Sequence, residues 1–158
     1  MTTLSGNARG IHIDMKRIRQ DLTEEYRVPG AYCQDYDSFR RIFRFVERGL
    51  QRSGSSAYII LLTLTDRKGD FIPLEDRERY MDVLRQIIQR SVRAGDVFTQ
   101  YSSCQFLLMV LDASRENALQ IGQRIQEEFQ ALTPEGPAIC LEHDISPLRP
   151  VGEEDEEA

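Results

Sequence analysis

The sequence predicts an α/β (α+β) domain in which one mixed sheet carries helices packed against it. Three observations lead there. Three long segments repeat their apolar residues at helical spacing. The run Ala57 to Thr65 is continuous, uncharged and β-prone. Between the second and third long helices lie two short β-prone runs separated by three residues, which is hairpin spacing.

Each element follows in chain order. Residues 1–10 are small, polar and glycine-containing, the pattern of a flexible lead-in. Asp14 is placed to cap a short helix with Met15, Ile18 and Leu22 on one stripe, and Arg27-Val-Pro-Gly30 breaks it. This segment has no core of its own and reads as a connector, or as a helix lying on the main body. The body starts near Gly30. Asp37 or Ser38 caps a helix whose Phe39, Ile42, Phe43, Val46 and Leu50 form an apolar face, with Phe45 off the stripe. Ser53-Gly54-Ser55-Ser56 ends that helix, and Ala57 to Thr65 follows as a strand covered on both faces. Asp66 to Pro73 is a turn-rich loop. Glu75 to Arg93 is a helix with Tyr80, Leu84, Ile87 and Ile88 inward, stopped by Ala94-Gly95. The strands Val97 to Tyr101 and Gln105 to Leu111 form the hairpin. Ser114 caps a helix bearing Ala118, Ile121, Ile125 and Phe129. Pro134 to Pro137 is a turn and Ala138 to Leu141 a last strand. Segments read as loops leave room for one further strand. The chain thus divides into a connector, 1–29, a main domain, 30–147, and an acidic tail, 148–158, expected to be disordered.

Composition narrows the function. The formal net charge is −6, and five acids crowd into Glu153 to Glu157, so the remaining body is near −1. A near-neutral body argues against direct nucleic-acid binding. No apolar run approaches the ~20 residues that span a bilayer, and the first ten residues lack a signal-peptide core. Three cysteines, Cys33, Cys104 and Cys140, without CxxC spacing read as reduced thiols of a cytoplasmic protein. His12 and His143 stand apart, which leaves no basis for a His-centred metal site or a Ser-His-Asp triad. The basic run Arg40, Arg41, Arg44, Arg48 and Arg52 reads as a solvated helix face, with an acidic partner or phosphate as the alternative.

The run VLRQIIQRSVRAGDVFTQYSSCQFLLMVLDASRENALQIGQRIQ contains a helix ending in Arg93-Ala-Gly-Asp96, a strand, the turn Ser102-Ser103-Cys104-Gln105-Phe106, an apolar strand and a helix. This order resembles the GGDEF family, the diguanylate cyclase domain, whose signature Gly-Gly-Asp/Glu-Glu-Phe falls on Ser102 to Phe106. Upstream, Leu61 to Lys68 looks like the family's LLDIDxFK strand. The resemblance spans Gly30 to about Ser146. It implies a nucleotidyl-cyclase-like fold: a central mixed sheet with an antiparallel hairpin at its active edge, flanked by helices.

An active member of that family joins two GTP molecules into cyclic di-GMP across a homodimer, with divalent metal held by carboxylates. The family's first metal-binding Asp aligns here with Thr63, the acid two residues later with Thr65, and the hairpin acids with Cys104 and Gln105. Its two turn glycines, which let backbone approach the nucleotide, are Ser102 and Ser103. Its guanine-contacting Asp aligns with Met81, its guanine-contacting Asn has no match around Tyr32 to Tyr36, and Lys68 alone matches a basic active-site residue. These positions imply a degenerate domain that is not an enzyme and has no metal or cofactor. Its role would be a signalling or interaction module of a bacterial regulator, with a protein partner, an adjoining regulatory domain or a second copy. Two alternatives stand beside it. One is residual cyclase or GTP-binding activity. The other is a cyclic di-GMP receptor through the family's inhibitory Arg-x-x-Asp site: Arg93 and Asp96 stand at the family offset, and Arg124 matches the Arg that completes the site. Arg forks suit phosphate and the Hoogsteen edge of guanine, and Asp can accept from guanine N1 and N2.

Overall fold

The computed structural model describes residues 14–133 and 139–149. The expected lead-in, the Pro134 to Pro137 turn, the first residue of the predicted last strand, Ala138, and the acidic tail from residue 150 lie outside the described residues. Helix α1, Met15–Leu22, is capped by Asp14, whose carboxylate accepts from the backbone N–H groups of Lys16 and Arg17. None of its residues is buried. Strand β1, Tyr32–Cys33, is the further strand. Gly30 leads into it at φ +92°, so close to helix α3 (Leu74–Ser91) that a Cβ would sit 1.9 Å from the Gln89 carbonyl oxygen. Only glycine fits that position.

Helix α2, Tyr36–Ser53, begins earlier than the Asp37 or Ser38 cap predicted. Asp35 is the cap instead, because its carboxylate accepts from Ser38 N at 2.8 Å and from Ser38 Oγ at 3.2 Å. These bonds to the charged form, the backbone one first, hold its pKa below the ordinary Asp value. Gly54 in the left-handed region closes α2. Strand β2, Ala57–Asp66, follows, then α3, then β3, Val97–Ser102, and β4, Gln105–Leu111. Helix α4, Arg115–Leu132, carries a capping box between Ser114 and Asn117. Strand β5, Ile139–Pro147, runs six residues beyond the predicted end at Leu141. Its Leu141-Glu-His-Asp-Ile145 stretch alternates buried or half-buried with exposed residues, as an edge strand covered on one face does, whereas the prediction followed the apolar run alone.

The sheet order is β1-β3-β4-β2-β5, with β1 parallel to β3 and every other pair antiparallel. Helices α3 and α4 cover one face, over Ile60, Leu62, Leu64, Phe98, Phe106 and Leu108, all fully buried. Helix α2 covers the other with Phe39 and Leu50 against Val97 and Met109. The register puts Thr63 opposite Gln105, at the hairpin end of the sheet. Among the described residues no helix is long and apolar enough to cross a membrane.

Candidate functional site

At the hairpin end, β3 and β4 slip register between Gln100 and Ser102, and the chain turns through Ser102, Ser103 and Cys104. Four of the five sequence-predicted positions meet here. Gln105 Nε2 donates to Thr63 Oγ1 at 3.2 Å, and Ser102 Oγ donates to Gln105 Oε1 at 2.8 Å. Cys104 N donates to Ser102 Oγ at 3.3 Å, while its thiol lies 3.8 Å from that oxygen and is buried at 7% exposure. The fifth position, Ser103, faces α3 and accepts from Arg77 Nη1 at 2.9 Å. The side chains these five positions supply are neutral hydroxyls, an amide and a thiol, and the one charged group bonded to them, the Arg77 guanidinium, is a cation. Mg²⁺ selects hard anionic oxygen, so the divalent cation implied by the resemblance does not fit this donor set. Asp66, the nearest carboxylate in sequence, caps its own loop by accepting from Lys68 N at 2.9 Å and Asp70 N at 2.8 Å. Lys68 is exposed in that turn, Thr65 pairs with Cys140 of β5, and Met81 is buried in α3. Among the described residues no group of three or more His, Cys, Asp or Glu is placed to hold an ion.

The sequence reading missed two arginines beside this edge. Arg77 also donates from Nε to the Ile72 carbonyl at 3.0 Å, and Arg85 donates to Gln100 Oε1 at 3.0 Å while lying 5.3 Å from the Phe106 ring centroid. With Met81 and Ser103 they line a cleft of about 300 Å³. Arg77, Met81 and Arg85 stand at i, i+4 and i+8 on one side of α3, a stripe the sequence does display.

The second group is the corner where α3 ends. Asp96, only 2% exposed, accepts from Leu111 N at 3.0 Å with one oxygen. With the other it accepts from Arg93 N at 3.1 Å and Arg93 Nε at 3.4 Å. Arg93 Nη2 donates to the Leu111 carbonyl, yet the side chain stays 64% exposed. Arg124 reaches from α4 to the same helix end and donates to the Ser91 carbonyl at 2.7 Å. The fold therefore gathers Arg93, Asp96 and Arg124, with the Asp96 carboxylate turned inward onto Arg93 and Leu111.

No family model and no curated protein matches the chain. Solved structures do. The diguanylate cyclase SiaD of Pseudomonas aeruginosa, in complex with its activator SiaC, matches with TM-score 0.64 and 15% identity over 89% of this chain and 56% of that one. The active GGEEF domain of a Vibrio cholerae diguanylate cyclase matches with TM-score 0.63 and 16% identity over 77% and 80%. The GGDEF domain of Caulobacter crescentus DgcB, in complex with cyclic di-GMP, matches with TM-score 0.62 and 13% identity over 76% and 75%. The expectation that this chain is not an enzyme is corrected by these neighbours: two are diguanylate cyclases, one of them described as active, and the shared fold is that of a cyclase-like enzyme. Replaced residues in one hairpin describe a donor set and are not a demonstration of inactivity. The chain has the fold of a GGDEF diguanylate cyclase domain.

Proposed function

We propose that this chain works in cyclic di-GMP signalling by binding the dinucleotide at the corner formed by Arg93 and Arg124. One observation carries the reading. The Arg124 guanidinium donates to the Ser91 carbonyl at the end of α3, two residues before Arg93 in the chain, and the buried Asp96 holds Arg93 in an exposed pose. Cyclic di-GMP offers two phosphates and two guanine Hoogsteen edges, and a guanidinium fork meets either with paired hydrogen bonds. Pre-set guanidiniums lose less rotamer freedom on binding than free ones. Asp96 acts here as the positioning residue for Arg93. The DgcB domain described with cyclic di-GMP supports the ligand class by likeness. Calorimetry with cyclic di-GMP tests the reading. The protein is expected to give saturable heat, with affinity reduced about tenfold or more in Arg93→Ala, the equivalent of losing one charge-assisted contact. Absence of heat at high-micromolar ligand would overturn it.

A second reading, a module acting through a protein partner or an adjoining regulatory domain, rests on α1. This helix holds Met15 at 61% and Leu22 at 79% exposure, on a stripe that no described residue covers. SiaD, described with its activator, supports that kind of contact by likeness.

A further inference from the structure

The outer face of α2 has no part in either group above. Arg41, Arg44, Phe45, Arg48 and Arg52 fall within an arc of about 100° at helical spacing, opposite the buried Phe39 and Leu50. Phe45 is 78% exposed at one edge of this arc. Arg44, Arg48 and Arg52 make no hydrogen bond or ion pair with any described residue, and Arg41 reaches Asp35 only through space. Asp37 is taken by Arg40 at 3.4 Å, and Glu47 is half-buried on the flank. Like charges at i, i+4 destabilise a helix, so the face carries a repulsion that a matching anion would relieve.

The complementary charge is in the same chain. Glu153, Glu154, Asp155, Glu156 and Glu157 are five consecutive carboxylates. The last described residues before this segment lie against α2: Leu148 is buried in one cluster with Phe39 and Leu50 and donates its N–H to the Ala57 carbonyl at 2.9 Å. Five residues from Leu148 to Glu153 reach about 17 Å, and nine to Glu157 reach about 30 Å. The 18 residues of α2 are about 27 Å long. A short tether also holds its end at an effective concentration near millimolar.

We propose that the acidic segment Glu153 to Glu157 docks on the arginine face of α2, pairing carboxylates with guanidiniums and masking the face from acidic partners in trans. The test compares amide ¹H–¹⁵N spectra of the full chain with those of a variant carrying Glu153→Gln, Glu154→Gln, Asp155→Asn, Glu156→Gln and Glu157→Gln. At about 50 mM salt the α2 amides are expected to differ between the two, and the difference to vanish at about 0.5 M salt, where screening is short-ranged. It is also expected to vanish when Arg44, Arg48 and Arg52 are changed to Gln. A peptide of residues 150–158 added in trans is expected to bind the neutralised variant about tenfold more tightly than the full chain. Identical spectra at low salt overturn the proposal, as do differences confined to another surface. Equal uptake of inorganic polyphosphate or an RNA oligonucleotide on α2 by both proteins also overturns it, since the face would then stand open to other anions.

Discussion

Asp96 is the only carboxylate buried among the described residues, and its two oxygens take three hydrogen bonds from Leu111 and Arg93. Removing it leaves the part-buried N–H groups of Leu111 and Arg93 without this acceptor, and a donor left unpaired away from water costs about 1–3 kcal/mol. Asp96→Ala is therefore expected to lower the urea-denaturation stability by about 3 kcal/mol, and Asp96→Asn by less, since its amide oxygen still accepts from Leu111. A loss under about 1 kcal/mol in the alanine variant would refute the structural role. The sequence shows Asp96 three residues after Arg93, but that spacing is indifferent to which way the carboxylate points. Its direction is decided by Leu111 N, fifteen residues away at the end of β4. The hairpin is legible to a similar depth. Strand alternation brings Thr63 and Gln105 to one edge, whereas the inward turn of Cys104 and the reach of Arg77 to Ser103 depend on a bulge and a helix that local pattern does not align.

The long helices and the hairpin strands announce themselves through periodicity, because each must bury one face. The strands at the two sheet edges do so less clearly. Strand β5 mixes Glu142, His143 and Asp144 into its pairing with β2, and β1 is two residues long, below any periodic signal. What holds β1 is local backbone chemistry. Gln89 Nε2 donates to the Pro29 carbonyl at 2.9 Å and to the Ala31 carbonyl at 2.6 Å, Ala31 N donates to the Gln89 carbonyl at 3.0 Å, and Gly30 lets the two chains approach. Gly30→Ala imposes both a positive φ on a Cβ residue and a collision with backbone, which nothing flexible can relieve. It is expected to detach β1 while leaving the hairpin intact. Hydrogen exchange reads this directly: the Tyr32 and Gln34 N–H groups, bonded to Asp96 O and Phe98 O at 2.9 Å each, should lose protection while Leu108 and Val110 keep theirs. Unchanged protection at Tyr32 and Gln34 would show that the close approach is not required.

One sheet serves as the wall of two cores. Strand β4 sends Phe106, Leu108 and Val110 toward α3 and α4, and Met109 toward α2, with Leu107 and Leu111 packed beside it. Strand β2 does the same with Ile60, Leu62 and Leu64 on one side and Ile59 on the other. Beyond the β3-β4 hairpin, the strand order β1-β3-β4-β2-β5 is not legible in local pattern, because the other pairings join residues far apart in sequence. The consequence is thermodynamic: neither core can open without exposing backbone that the other core needs paired. Phe39 sits at 2% exposure in the smaller core, touching the wall through Val97 and Met109. Phe39→Ala leaves a cavity there, and a phenylalanine truncated in a core typically costs about 3–5 kcal/mol. If the sheet couples the two cores, this loss lowers the midpoint of one shared transition, and far-UV and near-UV circular dichroism report the same midpoint. The near-UV signal comes from tyrosines on both sides of the sheet, including Tyr80 against Phe129 in the larger core and Tyr36 against Tyr101, whose ring centroids lie 5.2 Å apart, at the start of α2. Two separated transitions in Phe39→Ala, the lower one confined to the α2 side, would show that the sheet does not transmit stability across its thickness.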